Sequence, residues 1–290
     1  MVLCRVYRKT ELAIAIPASL VSDIPHLREK TARIGMIGRA AAIFRVNEVI
    51  VFPDDPTANQ SRDSNLIFTI LSYMETPQYL RKYLFKMEPE LRYAGILPPL
   101  RTLHHPVAKK LRELKVGEFR EGVTVSRVKE GVLVDIGVER PFLVENKEIK
   151  LNKRVTARIT AINPKPEATM MNRKEVPSSW GFQVIASDMP FGQFVKQHGF
   201  DLVIATSRLG TPFANIKESI LTRWKNAYHV LVAFGAPVRG LYEIAKLENI
   251  VLDQMVHFVV NMIPSQGTET VRTEEAVYAA LAVLNVATMG

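Results

Sequence analysis

The sequence predicts an α/β protein interrupted by a small β-barrel. Short apolar β-type runs alternate with helix-type runs over the first hundred or so residues and again toward the end of the chain. Between these stretches lie four β-rich pieces with glycine turns and no helical period. The same middle stretch carries most of the excess positive charge.

Leu12 to Ile16 (LAIAI), ended by Pro17, reads as a strand. Ser22 and Asp23 are N-cap candidates for the helix-type run DIPHLREKTARIGMIGRAAAIFRV. Glu48 to Phe52 (EVIVF) is the next strand, and a helical pattern from about Ser64 to Phe85 has Pro77 as a break or kink. GVTVSRV, GVLVDIGV, PFLVEN and RVTARITAI follow between Gly117 and Ile162, spaced as an OB-like barrel would space them. NPKPEATMMNRKEVPSSWG reads as the exit linker. Phe191 to His198 is helical, and three buried-type strands, DLVIAT, VLVAF and HFVVNM, then alternate with helices at Ile216 to Lys225 and Leu241 to Leu247. The last helix is Thr273 to Asn285. The expected division is one α/β domain in two parts, 1–102 and 167–290, with the barrel inserted at 103–166.

With 290 residues, 47% hydrophobic, the chain has enough apolar surface for two domains, which excludes global disorder. One cysteine, Cys4, excludes a disulfide scaffold and a cysteine-rich zinc site, and no histidine spacing suggests a metal. No run approaches the length of a membrane-spanning helix or signal core, so a cytoplasmic location is expected.

The net charge is +9. Residues 101 to 166 hold 15 basic and 8 acidic side chains, whereas the last 124 hold 10 and 11. A local surplus of this kind suits a surface that follows phosphates, although a solvated surface shows it too. The candidate RNA-contacting residues are Lys109, Lys110, Arg112, Lys115, Arg120, Arg127, Lys129, Lys150, Lys153, Arg154 and Arg158, with Phe119 or Phe142 available for stacking on a base or for the barrel core.

Ligands of open α/β sheets bind beyond the carboxyl ends of strands. The loops leaving the last three strands are SRLGTPF, GAPVRG and IPSQGTETVRTEE, each mixing Gly or Pro with small polar residues that let backbone approach a ligand. None matches a dinucleotide fingerprint or a phosphate loop, which argues against nicotinamide and ATP chemistry.

FGAPVRGL (Phe234 to Leu241), followed by NMIPSQGTETVRTEEAVYAALAVLN (Asn261 to Asn285), resembles the C-terminal signature of SPOUT-superfamily RNA methyltransferases. GILPPLRTLHHP (Gly95 to Pro106) and the split arrangement resemble more narrowly the archaeal and eukaryotic RNA uridine N3-methyltransferase group that carries an OB-like insertion. The resemblance covers nearly the whole chain. It implies a C-terminal trefoil knot, S-adenosyl-L-methionine bound among the three loops, a ribosomal or other structured RNA as substrate, and a homodimer with composite sites. Thr206, Ser207, Arg208 and Gly210 would then lie in the first cofactor loop, Gly235, Pro237, Arg239 and Gly240 in the second, and Asn261, Met262, Ile263, Gln266, Gly267 and Thr268 in the third. GMIGRA (Gly35 to Ala40) resembles the G-x-x-x-R-x-A element whose arginine approaches the target nucleotide, here Arg39, although Ile34 stands where that element often has Asn.

Methyl transfer to an imide nitrogen needs in-line positioning and help in removing one proton. Arg39 and Arg272 are candidates to stabilise the anion and Glu269 or Glu274 to accept the proton, while Glu274 and Glu275 have a competing role in the first turn of the last helix, with Thr273 as its cap. The competing reading is a non-catalytic RNA-binding or ribosome-assembly factor on the same fold.

Overall fold

β-branched runs that are apolar at every position need both faces covered, and the chain meets that need with a parallel sheet between helices. The computed structural model describes residues 10–146 and 148–289, so Cys4 lies outside the described residues. In chain order the strands and helices are β1 (Glu11–Pro17), α1 (Leu27–Ile43), β2 (Glu48–Phe52), α2 (Ser61–Glu75), α3 (Gln78–Leu84), β3 (Phe119–Arg127), β4 (Val132–Asp135), β5 (Phe142–Val144), β6 (Arg154–Ala161), β7 (Glu167–Met171), β8 (Gln183–Ala186), α4 (Phe191–His198), β9 (Leu202–Pro212), α5 (Phe213–Asn226), β10 (His229–Ala233), α6 (Leu241–Leu247), α7 (Leu252–Met255), β11 (Phe258–Asn261) and α8 (Thr273–Thr288). They form two compact units. One takes in Glu75–Pro89 and Leu100–Gly181, and the other holds the remaining described residues.

The larger unit is built on a six-stranded sheet in the order β11-β9-β10-β1-β2-β8, every pairing parallel. Ala13, Ala15, Ile50, Phe52, Leu231 and Ala233 pack one face against Phe191, Phe194, Leu241 and Ile244, while the alternate set Leu12, Ile14, Ile16, Val49 and Val51 is also buried. That double burial is why these strands read as continuous apolar runs. Between β9 and β11 the register jumps: Ala205 faces Val259, yet Thr211 faces Val260. Residues 206–210 therefore leave the ladder, and the strand resumes beyond them.

Helix α1 begins later than Ser22 and Asp23 suggest. Its N-cap is His26 with no side-chain bond, and Asp23 instead accepts from Arg33 Nη1 at 2.7 Å. The glycines of GMIGRA permit close packing. A Cβ on Gly38 would stand 2.9 Å from Met74 Sδ of α2, and one on Gly35 would stand 2.9 Å from Leu97.

The smaller unit contains a closed barrel, β3-β4-β5-β7-β6, around Val132, Val134, Phe142, Val144, Val155, Ala157 and Ile159. Strand β7 lies past residue 166, inside the expected exit linker, and pairs antiparallel with β6 and parallel with β5. Pro77 does break the second helical run, as the N-cap of α3. A buried charge network braces this unit. Glu75 meets Arg154 at 2.5 Å and also pairs with Arg173 and His104, while Glu121 accepts from Arg154 at 2.5 Å, Trp180 Nε1 at 2.5 Å and Thr156 at 2.7 Å. Burial alone would raise the Glu75 carboxyl, but Arg154, His104 and Arg173 together outweigh it and hold the group well below the ordinary carboxylate range. Burial, and then the neighbouring His104, hold His105 down to about 4.

Among the described residues, no helix is long and apolar enough to cross a membrane.

Candidate small-molecule cleft

The carboxyl ends of β9, β10 and β11 open into a cleft of about 290 Å³, near the lower end of the roughly 300 to 1,000 Å³ of small-molecule sites. Its walls are residues 206–209 from the excursion in β9, 235–240 after β10, and the segment from Asn261 to the start of α8. Polar side chains of these loops tie the loops to one another. Thr206 Oγ1 donates to Ala233 O at 2.9 Å, Arg208 Nη1 to Glu269 O at 2.9 Å, and Asn261 Nδ2 to Arg208 O at 3.0 Å. Gln266 Nε2 donates to Thr268 O at 2.9 Å. In the second loop Ala236 N bonds Arg239 O at 2.8 Å, closing a turn so tight that a Cβ on Gly235 would lie 3.1 Å from Gly240 Cα. Arg239 Nη2 reaches Asp55 Oδ2 at 2.8 Å, and hydrogen bonds from Thr57, with Arg239 behind them, hold the Asp55 carboxyl down to about 2.

Helix α8 starts at this cleft. Thr273 does not cap it, since Arg272 occupies the N-cap, and the Thr273 hydroxyl instead donates to Gly235 O at 2.9 Å, joining the second and third loops. Glu274 is 3% exposed, with Oε1 at 3.3 Å from Arg33 Nε of α1, so it belongs to the packing of α8 on α1 rather than to the cleft.

Eleven of the fourteen expected cofactor residues line the cleft: Thr206, Ser207, Arg208, Gly235, Pro237, Arg239, Gly240, Asn261, Met262, Ile263 and Gln266. Gly210, Gly267 and Thr268 do not. Gly210 has another task, because a Cβ there would meet Val260 N at 2.7 Å and Val259 O at 2.8 Å, so glycine lets β9 rejoin β11. A Cβ on Gly240 or Gly267 would meet nothing within 4 Å, so neither is demanded by packing within the chain. Residues the sequence did not single out also line the cleft, among them Leu209, Val238, Tyr242 and Val271. Their apolar character was visible but had no periodic pattern to mark it.

Of the candidate catalytic residues, Glu269 lines the cleft, Arg272 is exposed just past it, and Arg39 lies outside the lining with Nη1 donating to Pro99 O at 3.0 Å. At the opposite ends of the strands, Glu11, Glu48 and His229 bring ligand-type atoms within 4.8 Å of one another, a cluster the sequence spacing did not reveal. His229 and Glu48 are an ion pair there at 3.4 Å.

In the barrel unit, Lys109, Lys110, Arg112, Lys115, Arg127, Lys129, Lys150, Lys153 and Arg158 are exposed. Arg120 and Arg154 are not surface cations. Arg120 is 1% exposed and bonds Glu118 Oε1 at 2.7 Å, and Arg154 is committed to Glu75 and Glu121. Phe142 is core, while Phe119 is half-buried, edge-on to Trp180.

A parallel α/β sheet with a loop-built cleft past its carboxyl ends, interrupted in sequence by a cation-bearing barrel, defines a two-unit protein with a candidate small-molecule site. The chain belongs to the family described as "Putative RNA methyltransferase", which it matches over residues 11–284. It is 36% identical over 308 residues to a Drosophila melanogaster protein named 28S rRNA (uridine-N(3))-methyltransferase, covering 94% of this chain and 61% of that one. The human protein of the same name is 31% identical, covering 96% of this chain and 78% of the relative. An uncharacterized protein of Haloarcula marismortui is 31% identical, covering 94% and 98%. The chain thus spans less than two thirds of the fruit-fly relative's length.

Proposed function

We propose that this protein is an S-adenosyl-L-methionine-dependent RNA methyltransferase of the SPOUT type acting on N3 of a uridine in ribosomal RNA. The observation that carries the reading is the cleft. Three loops at the carboxyl ends of adjacent parallel strands are tied together by their own side chains, which leaves backbone groups and apolar side chains such as Met262, Ile263 and Val271 to meet a ligand. That lining suits an adenosine with a charged tail, and the family supplies the need for a methyl donor. The trefoil knot is part of this proposal and rests on the resemblance carried by the C-terminal loops.

The bound donor supplies an electrophilic methyl group on a sulfonium. Met262, Ile263 and the backbone of the three loops would hold the donor, whose methyl group would pass to the N3 of a uridine that has first given up its proton, with S-adenosyl-L-homocysteine as the co-product. Glu269, which lines the cleft, is the proposed proton acceptor, and Arg272, next in sequence to the lining residue Val271, is proposed to favour the anion. Arg39 would act from a second protomer of a homodimer, a role that fits its place outside the cleft lining of its own chain. The relatives' names support ribosomal RNA as the substrate.

The test incubates the purified protein with methyl-labelled S-adenosyl-L-methionine and large-subunit ribosomal RNA, digests the RNA and separates the nucleosides. Labelled 3-methyluridine is expected. Donor and RNA binding without any methyl transfer would instead establish the non-catalytic RNA-binding reading.

A further inference from the structure

Residues 107–116 lie outside every strand, yet they are held against the barrel with a period of three. Leu114 is part of the barrel core and Ala108 and Leu111 pack on it, whereas Lys109, Lys110, Arg112 and Lys115 are exposed. The turn at Leu111–Glu113 is 3-10, the geometry in which every third residue falls on one side.

Carboxylates brace the backbone of this segment. Glu113 Oε2 accepts from the amides of Lys109 and Lys110 at 3.0 and 3.2 Å, Glu118 Oε2 from that of Lys115 at 3.2 Å, and Glu139 Oε2 from that of Leu111 at 2.8 Å. The buried Arg120 adds a bond from Nη1 to Ala108 O at 3.2 Å. Hydrogen bonds from backbone amides, together with Lys110 and Arg112, hold the Glu139 carboxyl below its ordinary value, so it stays charged and keeps the brace. Arg158 of β6 extends the basic side: its Nη2 would lie 3.9 Å from a Cβ on Gly117.

We infer that residues 107–116, with Arg158, form a pre-braced strap that grips the phosphate backbone of RNA without reading its sequence. The inference rests on the RNA methyltransferase reading and deepens it by dividing the labour: the strap supplies affinity, and target choice lies with other residues. Cations on a backbone already fixed lose less freedom on binding than cations on a mobile loop. Phosphate contacts position an RNA and carry no base information.

The test is fluorescence anisotropy with a labelled oligouridylate at several salt concentrations, on the full chain. Wild type is compared with a variant combining Lys109→Gln, Lys110→Gln, Arg112→Gln and Lys115→Gln. A charge-matched control combines Lys196→Gln, Lys217→Gln, Lys225→Gln and Lys246→Gln, all exposed and all in the larger unit. For single strands each lost phosphate contact lowers the salt slope by about 0.7, so the strap variant should lose about 3 units of slope and at least tenfold in affinity at low salt. The control should change less than threefold. An unchanged slope in a folded strap variant, or an equal loss in the control, overturns the strap. Methyl transfer that persists in that case leaves the functional reading standing. A wild-type chain that binds no oligouridylate overturns the strap at once, and if it also neither binds nor methylates ribosomal RNA the functional reading fails with it.

Discussion

Gly210→Ala adds one methyl group where no rotamer can absorb it. The new Cβ would stand 2.7 Å from Val260 N and 2.8 Å from both the carbonyl carbon and oxygen of Val259, all backbone, against the 3.4 Å at which ordinary contact begins. Relief requires β9 and β11 to part by roughly 0.7 Å, and overpacking of this kind costs about 1 to 3 kcal/mol. Those two strands carry the first and third walls of the cleft, so part of the strain is shed by opening it. If half or more of the strain appears as lost preorganisation, the donor's dissociation constant rises on the order of 2- to 140-fold, taking 1.4 kcal/mol per decade. Calorimetric titration with S-adenosyl-L-homocysteine, paired with thermal unfolding, reads both effects. A folded variant with affinity within twofold of wild type would refute the link between the strand junction and the cleft.

Thr273→Val removes the hydroxyl bond to Gly235 O, and should cost about 1 kcal/mol of stability and several-fold in donor affinity, measured by the same titration. Glu75→Gln leaves Arg154 and Arg173 without their shared charge and should destabilise the chain by about 3 kcal/mol in denaturant unfolding, the lower end for breaking a buried pair because the amide keeps some hydrogen bonds. The pH dependence follows from the depressed folded-state values. His105, at about 4 when folded, contributes stability that is complete above its ordinary 6.5 and is lost as pH falls toward 4; Glu75 adds a further loss below about 4.5. Unfolding midpoints from pH 8 to 3 should therefore fall in two stages, and His105→Asn should flatten the first. Arg39→Ala should abolish methyl transfer while leaving donor affinity within threefold, because Arg39 is outside the cleft lining.

Elements whose signal is local were legible in the sequence. LAIAI, EVIVF, DLVIAT and VLVAF announce buried parallel strands by composition alone, and each is one. Strand β7, EATMM, has no β-branched run and becomes a strand only because β6 and β5 offer it edges, which no local pattern records. The cleft loops were visible as glycine- and proline-rich exits from strands. The task of Gly210 was not, because it depends on where β11 passes. Thr273 looked like a helix cap by its position, yet the nearby Gly235 carbonyl captures its hydroxyl. Counting charge located the basic segment but could not separate Arg120, itself buried and paired with Glu118, and Arg154, which neutralises the buried Glu75 and Glu121, from the lysines that face solvent.

The most direct test of the account is calorimetric titration of the purified chain with S-adenosyl-L-methionine, repeated on Gly235→Val. A Cβ at Gly235 falls 3.1 to 3.2 Å from backbone of residues 239–241, so the variant distorts the second wall of the cleft. The account predicts micromolar binding, about −8 kcal/mol, by the wild type and its loss in a folded variant. Equal binding by both proteins would place the donor elsewhere, and no binding by the folded wild type would contradict the assignment of the cleft.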